Sequence, residues 1–161
     1  MFKLDTNDIY EGKIQDGVYE VVINNGKEDA TPSGAEYVEL DLIVRNDVEQ
    51  KYQNAHIFHK IWMSKQTNQY NPKSFNTIGK ALQLENGKEY NSINELLQDF
   101  SMKTCRVTVK NEQSEYNGKT YENTNVKAWQ PSNVQGVLNH QFKKGESVNN
   151  PINIEDEDLP F

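Results

Sequence analysis

Tyr37-Val38-Glu39-Leu40-Asp41-Leu42-Ile43-Val44-Arg45 alternates apolar and polar side chains. Val38, Leu40, Leu42 and Val44 share one face of an extended chain. Tyr37, Glu39, Asp41 and Arg45 share the other, where Ile43 is the one apolar residue. A period of two is the mark of a strand that buries one face. Immediately upstream, residues 17–23 read as a short, mostly buried strand. Asn24-Asn25-Gly26-Lys27 is a turn signal that opens a polar loop over 24–35, with Pro32 and Gly34 inside it. Downstream, a turn near Asn46-Asp47 leads into a third strand over 51–63.

The period then changes. Phe75, Ile78 and Leu82 recur at helical spacing over 72–84, with Pro72 near the start and Asn86-Gly87 as the stop. Ser92 with Glu95 resembles a capping box for a second short helix carrying Ile93, Leu96, Leu97 and Phe100. Residues 103–110 return to strand. Tyr116-Asn117-Gly118-Lys119 is a hairpin turn of the Asn-Gly type, followed by a last strand over about 120–129. Three strands, a helical insert and a closing hairpin form the connectivity of the OB-fold, a five-stranded, partly open Greek-key barrel. The predicted fold is therefore mainly β: an OB-fold barrel over residues 1–130, with the helical insert between strands 3 and 4. Residues 131–154 are rich in Asn, Gln, Gly, Ser and Lys and read as a flexible linker; Val134, Val137, Leu138 and Phe142 are its candidates for docking on the domain. Residues 155–161 form an acidic tip.

The 161 residues carry a formal net charge of −7 with a pI near 5.0, which on its face disfavours a nucleic-acid binder. The charge is not evenly spread. Residues 1–49 are net −8, residues 50–144 net +6 and residues 145–161 net −5; residues 51–80 hold five lysines and no acid. Blocks of this kind signal interaction more than fold, and imply a tail that folds onto the basic middle when nucleic acid is absent. No apolar run reaches membrane-spanning length, and the N-terminal stretch lacks the apolar core of a signal peptide. One cysteine, Cys105, makes no internal disulfide, and His56-x-x-His59 falls on opposite faces of a strand, so no metal or other cofactor is implied. A soluble, cytosolic protein of a reducing compartment is expected.

The third strand carries the chemistry. One parity holds Tyr52, His56, Phe58, Lys60 and Trp62; the other holds Ala55, Ile57, His59, Ile61 and Met63. If the aliphatic parity points into the barrel, the aromatic and basic parity faces out, where OB-folds bind strands of nucleic acid. The opposite arrangement puts Phe58 and Trp62 in the core. Aromatic rings stack on any base, and lysines neutralise phosphate without reading sequence. Further candidates are Lys65, Tyr70 and Lys73 after the strand, Arg106 and Lys110 on the fourth, and Tyr116, Lys119, Tyr121, Lys127 and Trp129 from the last hairpin. No phosphate-binding loop, nucleophile elbow or dinucleotide fingerprint is present. Glu39, Asp41 and Glu49-x-Lys51 resemble a nuclease arrangement only at the level chance supplies, so no enzymatic activity is expected.

The sequence stops on Glu155-Asp156-Glu157-Asp158-Leu159-Pro160-Phe161. A terminal ring with its carboxylate suits an apolar pocket beside a cation, with a basic rim for the acids. This ending closely resembles the tip of bacterial single-stranded DNA-binding proteins. The body, with a longer helical insert and a shorter linker poor in glycine, resembles the small single-stranded DNA-binding proteins of phages of Gram-positive bacteria. The resemblance implies sequence-independent binding of single-stranded DNA. It also implies recruitment of replication, recombination and repair proteins through Asp156, Glu157, Asp158, Leu159, Pro160 and Phe161, and assembly as a dimer or tetramer. The rivals are an adaptor that binds proteins but not DNA, and a metal-dependent nuclease.

Overall fold

Val21 and Ile23 point inward from the first strand and meet Val44 and Leu42 of the second; this pairing begins the barrel. The structure, a computed structural model, describes residues 3, 4, 6 and 13–142. Its elements run β1 (Gly17–Ala30), β2 (Glu36–Val44), β3 (His56–Trp62), α1 (Pro72–Ala81), α2 (Ile93–Phe100), β4 (Thr104–Tyr116) and β5 (Lys119–Gln130). All pairings are antiparallel and the sheet order is β3-β2-β1-β4-β5. The two outer strands, β3 and β5, return into contact with each other. The circuit 1-2-3-5-4 thus comes round on itself, giving a mainly β, OB-like barrel with one incompletely bonded seam.

The interior is built from Val21, Ile23, Val38, Leu40, Leu42, Val44, Ile57, Ile61, Cys105, Val107 and Val109 of the strands. Phe75, Ile78, Leu97 and Phe100 close it from the helices. Each helix starts where its sequence says it should. Asn71 Oδ1 accepts from Lys73 N at 3.0 Å with Pro72 in the first turn, and Ser92 Oγ accepts from Glu95 N at 3.2 Å. Phe100 is 1% exposed; cutting it to alanine costs roughly 3–5 kcal/mol.

Beyond shifted element ends (α1 stops at Ala81, well short of Asn86-Gly87, and β4 runs past 110 to Tyr116), three sequence expectations change. First, β1 does not end at Asn24-Asn25-Gly26-Lys27 but continues to Ala30, and the turn lies at 31–35, where Thr31 N bonds Ala35 O at 2.8 Å. The register slips between Ile23 and Asn25, so Asn24 is a bulge; its amide donates to Asp41 Oδ2 at 3.0 Å. Gly26 faces inward where a Cβ would lie 2.7 Å from Leu40 Cδ2 and 3.1 Å from Leu97 Cδ2. The Asn-Asn-Gly signal belongs to a bulge and a close approach, two features that share turn residues with true turns.

Second, β3 starts at His56 rather than 51. Tyr52 and Asn54 adopt left-handed φ values of 61° and 74°, which no strand accommodates. Third, the linker expected over 131–154 does not begin at 131. Ser132 Oγ and Asn133 N donate to the two carboxylate oxygens of Glu20 (2.5 and 2.9 Å), Asn139 N to Asp47 Oδ2 (2.8 Å) and Gln141 N to Asn46 Oδ1 (2.8 Å). Residues 132–141 are thus strapped to the barrel, although Val137 is 92% exposed. The rest of the expected linker and the tip at 155–161 lie outside the described residues.

Candidate nucleic-acid interface

Burial along β3 settles which parity faces out. Ile57 and Ile61 are buried at 2% and 5%, while His56, Phe58, Lys60 and Trp62 are exposed. Registration across three strands then sets a grid on the outer face. Asn25, Asp41 and Phe58 stand in one row, Lys27, Glu39 and Lys60 in the next, and Asp29, Tyr37 and Trp62 in the third. Phe58 and Trp62 expose 55% and 49% of their surface, an unusual level for large rings in a folded strand.

Neighbours hold these rings in place. Trp62 lies against Tyr37 with centroids 4.9 Å apart, and Lys60 Nζ sits 4.8 Å from the Tyr37 centroid and 5.7 Å from that of Trp62. Such cation–π contacts are worth about 0.5–1 kcal/mol at exposed sites. His56 stacks on Phe58 at 5.9 Å and 15°, and its Nδ1 lies 2.7 Å from Asp41 Oδ1. A concavity of about 340 Å³ opens beside Phe58, Asp41 and Gly26. The face is mixed in charge: Glu39 stands between Lys27 and Lys60, and Asp41 beside Phe58. The basic block of the sequence therefore does not appear as a basic strand face, because register pairs β3 lysine with β2 carboxylate.

The β4–β5 hairpin forms a second exposed group. Asn117 and Gly118 have φ values of 54° and 76°, the pair of positive angles that a tight hairpin turn demands. Tyr116 (69% exposed) pairs with Lys119, and Tyr121 (46% exposed) pairs with Ser114, which sets the two tyrosines diagonally on one face. Lys110 stands opposite Asn125, and Lys127 Nζ bonds Glu112 Oε1 at 3.1 Å.

Several expected contacts sit elsewhere. Tyr52 lies in the turn before β3 and packs edge-on to Tyr19 at 6.1 Å. Tyr70 packs edge-on to Phe75 at 5.7 Å; burial, then Glu28 and Glu36, raise its phenol pKa above the ordinary value. Trp129 packs against the core rather than beside Tyr121, because a register shift at Thr108/Val109 inserts Lys127 as an extra residue and reverses the parity of β5. Arg106 is half-buried opposite Glu20. Lys65 and Lys73 are exposed, in the loop after β3 and in the first turn of α1.

A family model described as protein of unknown function (DUF669) matches residues 2–137. The chain belongs to the DUF669 family. No curated protein matches it. A solved structure titled "Yeast RPA bound to ssDNA" is similar over 80% of this chain and 84% of that one, at 9% identity and a TM-score of 0.39.

In this DUF669 chain, the β1 and β2 members of the grid are not among the contacts the sequence points to, Tyr37 and Lys27 foremost. Tyr37 becomes the neighbour of Trp62, and Lys27 joins the row of Glu39 and Lys60, only through cross-strand register. The parity of Tyr37 was legible; its row was not. Among the described residues no helix is long and apolar enough to cross a membrane.

Proposed function

We propose that the chain binds single-stranded DNA without sequence preference, laying bases against Phe58 and Trp62 on the outer face of β3. The observation that carries this reading is the exposure of two large rings on the strand 2–3 side of an OB-like barrel, the side such barrels use for oligonucleotides. Ring stacking supplies about 1–3 kcal/mol per base. Because Lys60, the one lysine of β3, shares its row with Glu39, phosphate contacts fall to Lys65 and Lys73 and to the hairpin lysines Lys110 and Lys119, with Tyr116 and Tyr121 as further stacking rings. Lys127 is shared with Glu112 and Arg106 is half-buried, so both are weaker candidates.

The finer reading follows the resemblance of the tip. The protein acts without catalysis in phage DNA replication, recombination and repair in a bacterial cytoplasm, as a dimer or tetramer. Residues 156–161 recruit partner enzymes, and residues 143–154 connect them to a body that includes the 132–141 strap. The mixed charge of the β3 face favours one second reading, an adaptor whose barrel binds protein.

Titration of oligo(dT) against intrinsic tryptophan fluorescence over a salt series tests this. Quenching that weakens by about 0.7 log units per log unit of salt for each phosphate contact is expected. Absence of binding at low salt points to the adaptor, and cleavage on adding magnesium points to a nuclease.

A further inference from the structure

The row Asn25, Asp41, Phe58 sets a carboxamide, a carboxylate and a ring side by side on the outer face. With Gly26, Lys27 and Glu39 these residues line the concavity of about 340 Å³, at the small end of ligand sites. His56 stacks on Phe58 but takes no part in that lining, so a base has the side of the ring turned toward Glu39. Two carboxylates against one lysine make the lining net negative. Phosphate is repelled there, and the edge of a base is the part of a strand that can enter.

Asp41 is held ready to accept. Asn24, only 2% exposed, donates from Nδ2 to Asp41 Oδ2 at 3.0 Å, and His56 Nδ1 lies 2.7 Å from Asp41 Oδ1. These contacts fix the carboxylate, so little rotamer freedom is left to lose on binding. They use two of the roughly four acceptor positions of an ionised carboxylate. The buried Oδ1 of Asn24, beside the same carboxylate, has no hydrogen-bond partner among the described residues, so acceptors outnumber donors at this spot. The Asp41 side chain itself keeps 14% of its surface exposed. An acceptor-rich wall sorts the bases of a single strand by their free Watson–Crick edges. Guanine presents two adjacent donors, N1–H and the 2-amino group, which meet one carboxylate bidentately and leave O6 to the Asn25 amide opposite. Cytosine and adenine each present one amino group. Thymine presents a single N3–H between two carbonyl oxygens, which a carboxylate repels.

We infer that the place beside Phe58 prefers guanine, and that Asp41 sets the preference. The inference rests on the proposed binding of single-stranded DNA and refines it: Trp62 takes any base, and one position of the strand is graded. The result is a bias at that position and not a recognition sequence.

Competition against labelled oligo(dT) on the full native chain tests this. An unlabelled thymine oligomer with one central guanine should compete better than the all-thymine oligomer, by about 5- to 150-fold, the range for one bidentate side chain–base pair. Hypoxanthine in place of that guanine keeps N1–H and O6 but lacks the 2-amino group, and should lose most of the gain. 7-Deazaguanine, altered only on the far edge, should keep it. In Asp41→Asn, which exchanges one acceptor for a donor, the guanine-to-thymine ratio should fall toward one, with circular dichroism confirming the fold. Equal competition by the guanine and thymine oligomers overturns the inference and leaves the DNA-binding reading standing. A guanine preference that persists with hypoxanthine, or in folded Asp41→Asn, overturns the role of Asp41. Failure of every oligomer to bind at low salt overturns both readings together.

Discussion

His59 of β3 and Trp129 of β5 meet edge-on across the barrel seam, with ring centroids 5.2 Å apart and planes at 72°. β3 and β5 touch without forming a hydrogen-bonded ladder, so closure there rests on side chains. Burial pushes the His59 pKa down from 6.5 to about 4. The folded state therefore holds the neutral ring, while the unfolded chain protonates near 6.5. The stabilisation is complete above pH 6.5 and is lost as the pH falls from there to about 4, up to about 3 kcal/mol in all. Urea unfolding across that window should show the decline in the native chain and a much flatter profile in His59→Phe. Equal slopes in the two would contradict a buried neutral His59.

Trp62 and Trp129 should separate binding from stability. Trp62→Ala removes a half-exposed ring from the proposed DNA face and should lower oligo(dT) affinity about 5- to 150-fold, the range for one stacked base, with the melting temperature little changed. Trp129→Ala opens the seam and should do the reverse. Binding isotherms and thermal melts on the two variants decide it; loss of affinity in Trp129→Ala alone would move the site away from β3.

Gly26 should tolerate no side chain. A Cβ there would overlap Leu40 Cδ2, and both Leu40 and Leu97 lie in the packed interior. Gly26→Ala should cost about 1–3 kcal/mol by overpacking, measured by urea denaturation. An effect below that range would mean that the two leucines repack freely.

The contrast between Gly26 and Leu40 also explains what the sequence made legible. Leu40 lies in an alternation that only Ile43 interrupts, so its strand and face are legible directly, as are the cap Ser92, the helix start near Pro72 and the Asn117-Gly118 turn. Those signals are local. Gly26 owes its role to Leu97, a residue of another element, and a glycine needed for close approach reads the same as a glycine needed for a turn. Trp129 reads from the sequence as a candidate contact beside Tyr121 yet packs on the core, for a related reason: the bulge opposite Thr108/Val109 shifts parity, and bulges have no fixed residue code. The parity of β3 stays open in the sequence, because Phe58 and Trp62 suit a core as well as Ile57 and Ile61 do; only the burial of the two isoleucines decides it. The mixed charge of that face is not legible either, because Lys60 meets Glu39 only through register.

Arg45 and Asp47 should govern both the barrel end and its strap. Arg45 Nε and Nη2 donate to Asp47 Oδ1 and Oδ2 at 2.8 and 2.7 Å, and Arg45 is only 2% exposed. Hydrogen bonding from Arg45 holds the Asp47 pKa below its ordinary 3.8, so this contribution persists above that pH and fades only as the pH falls below it. Asp47→Ala leaves a buried guanidinium without its bidentate partner and should cost roughly 3–5 kcal/mol. It also removes the acceptor for Asn139 N, so hydrogen exchange at Asn139 should quicken beyond the global change. The pair Arg45→Met with Asp47→Leu removes both charges and should recover most of the stability without restoring protection at Asn139. If that double variant slowed exchange at Asn139 to the native rate, the strap would be held by packing of Val134 and Leu138 instead of by the Asp47 carboxylate.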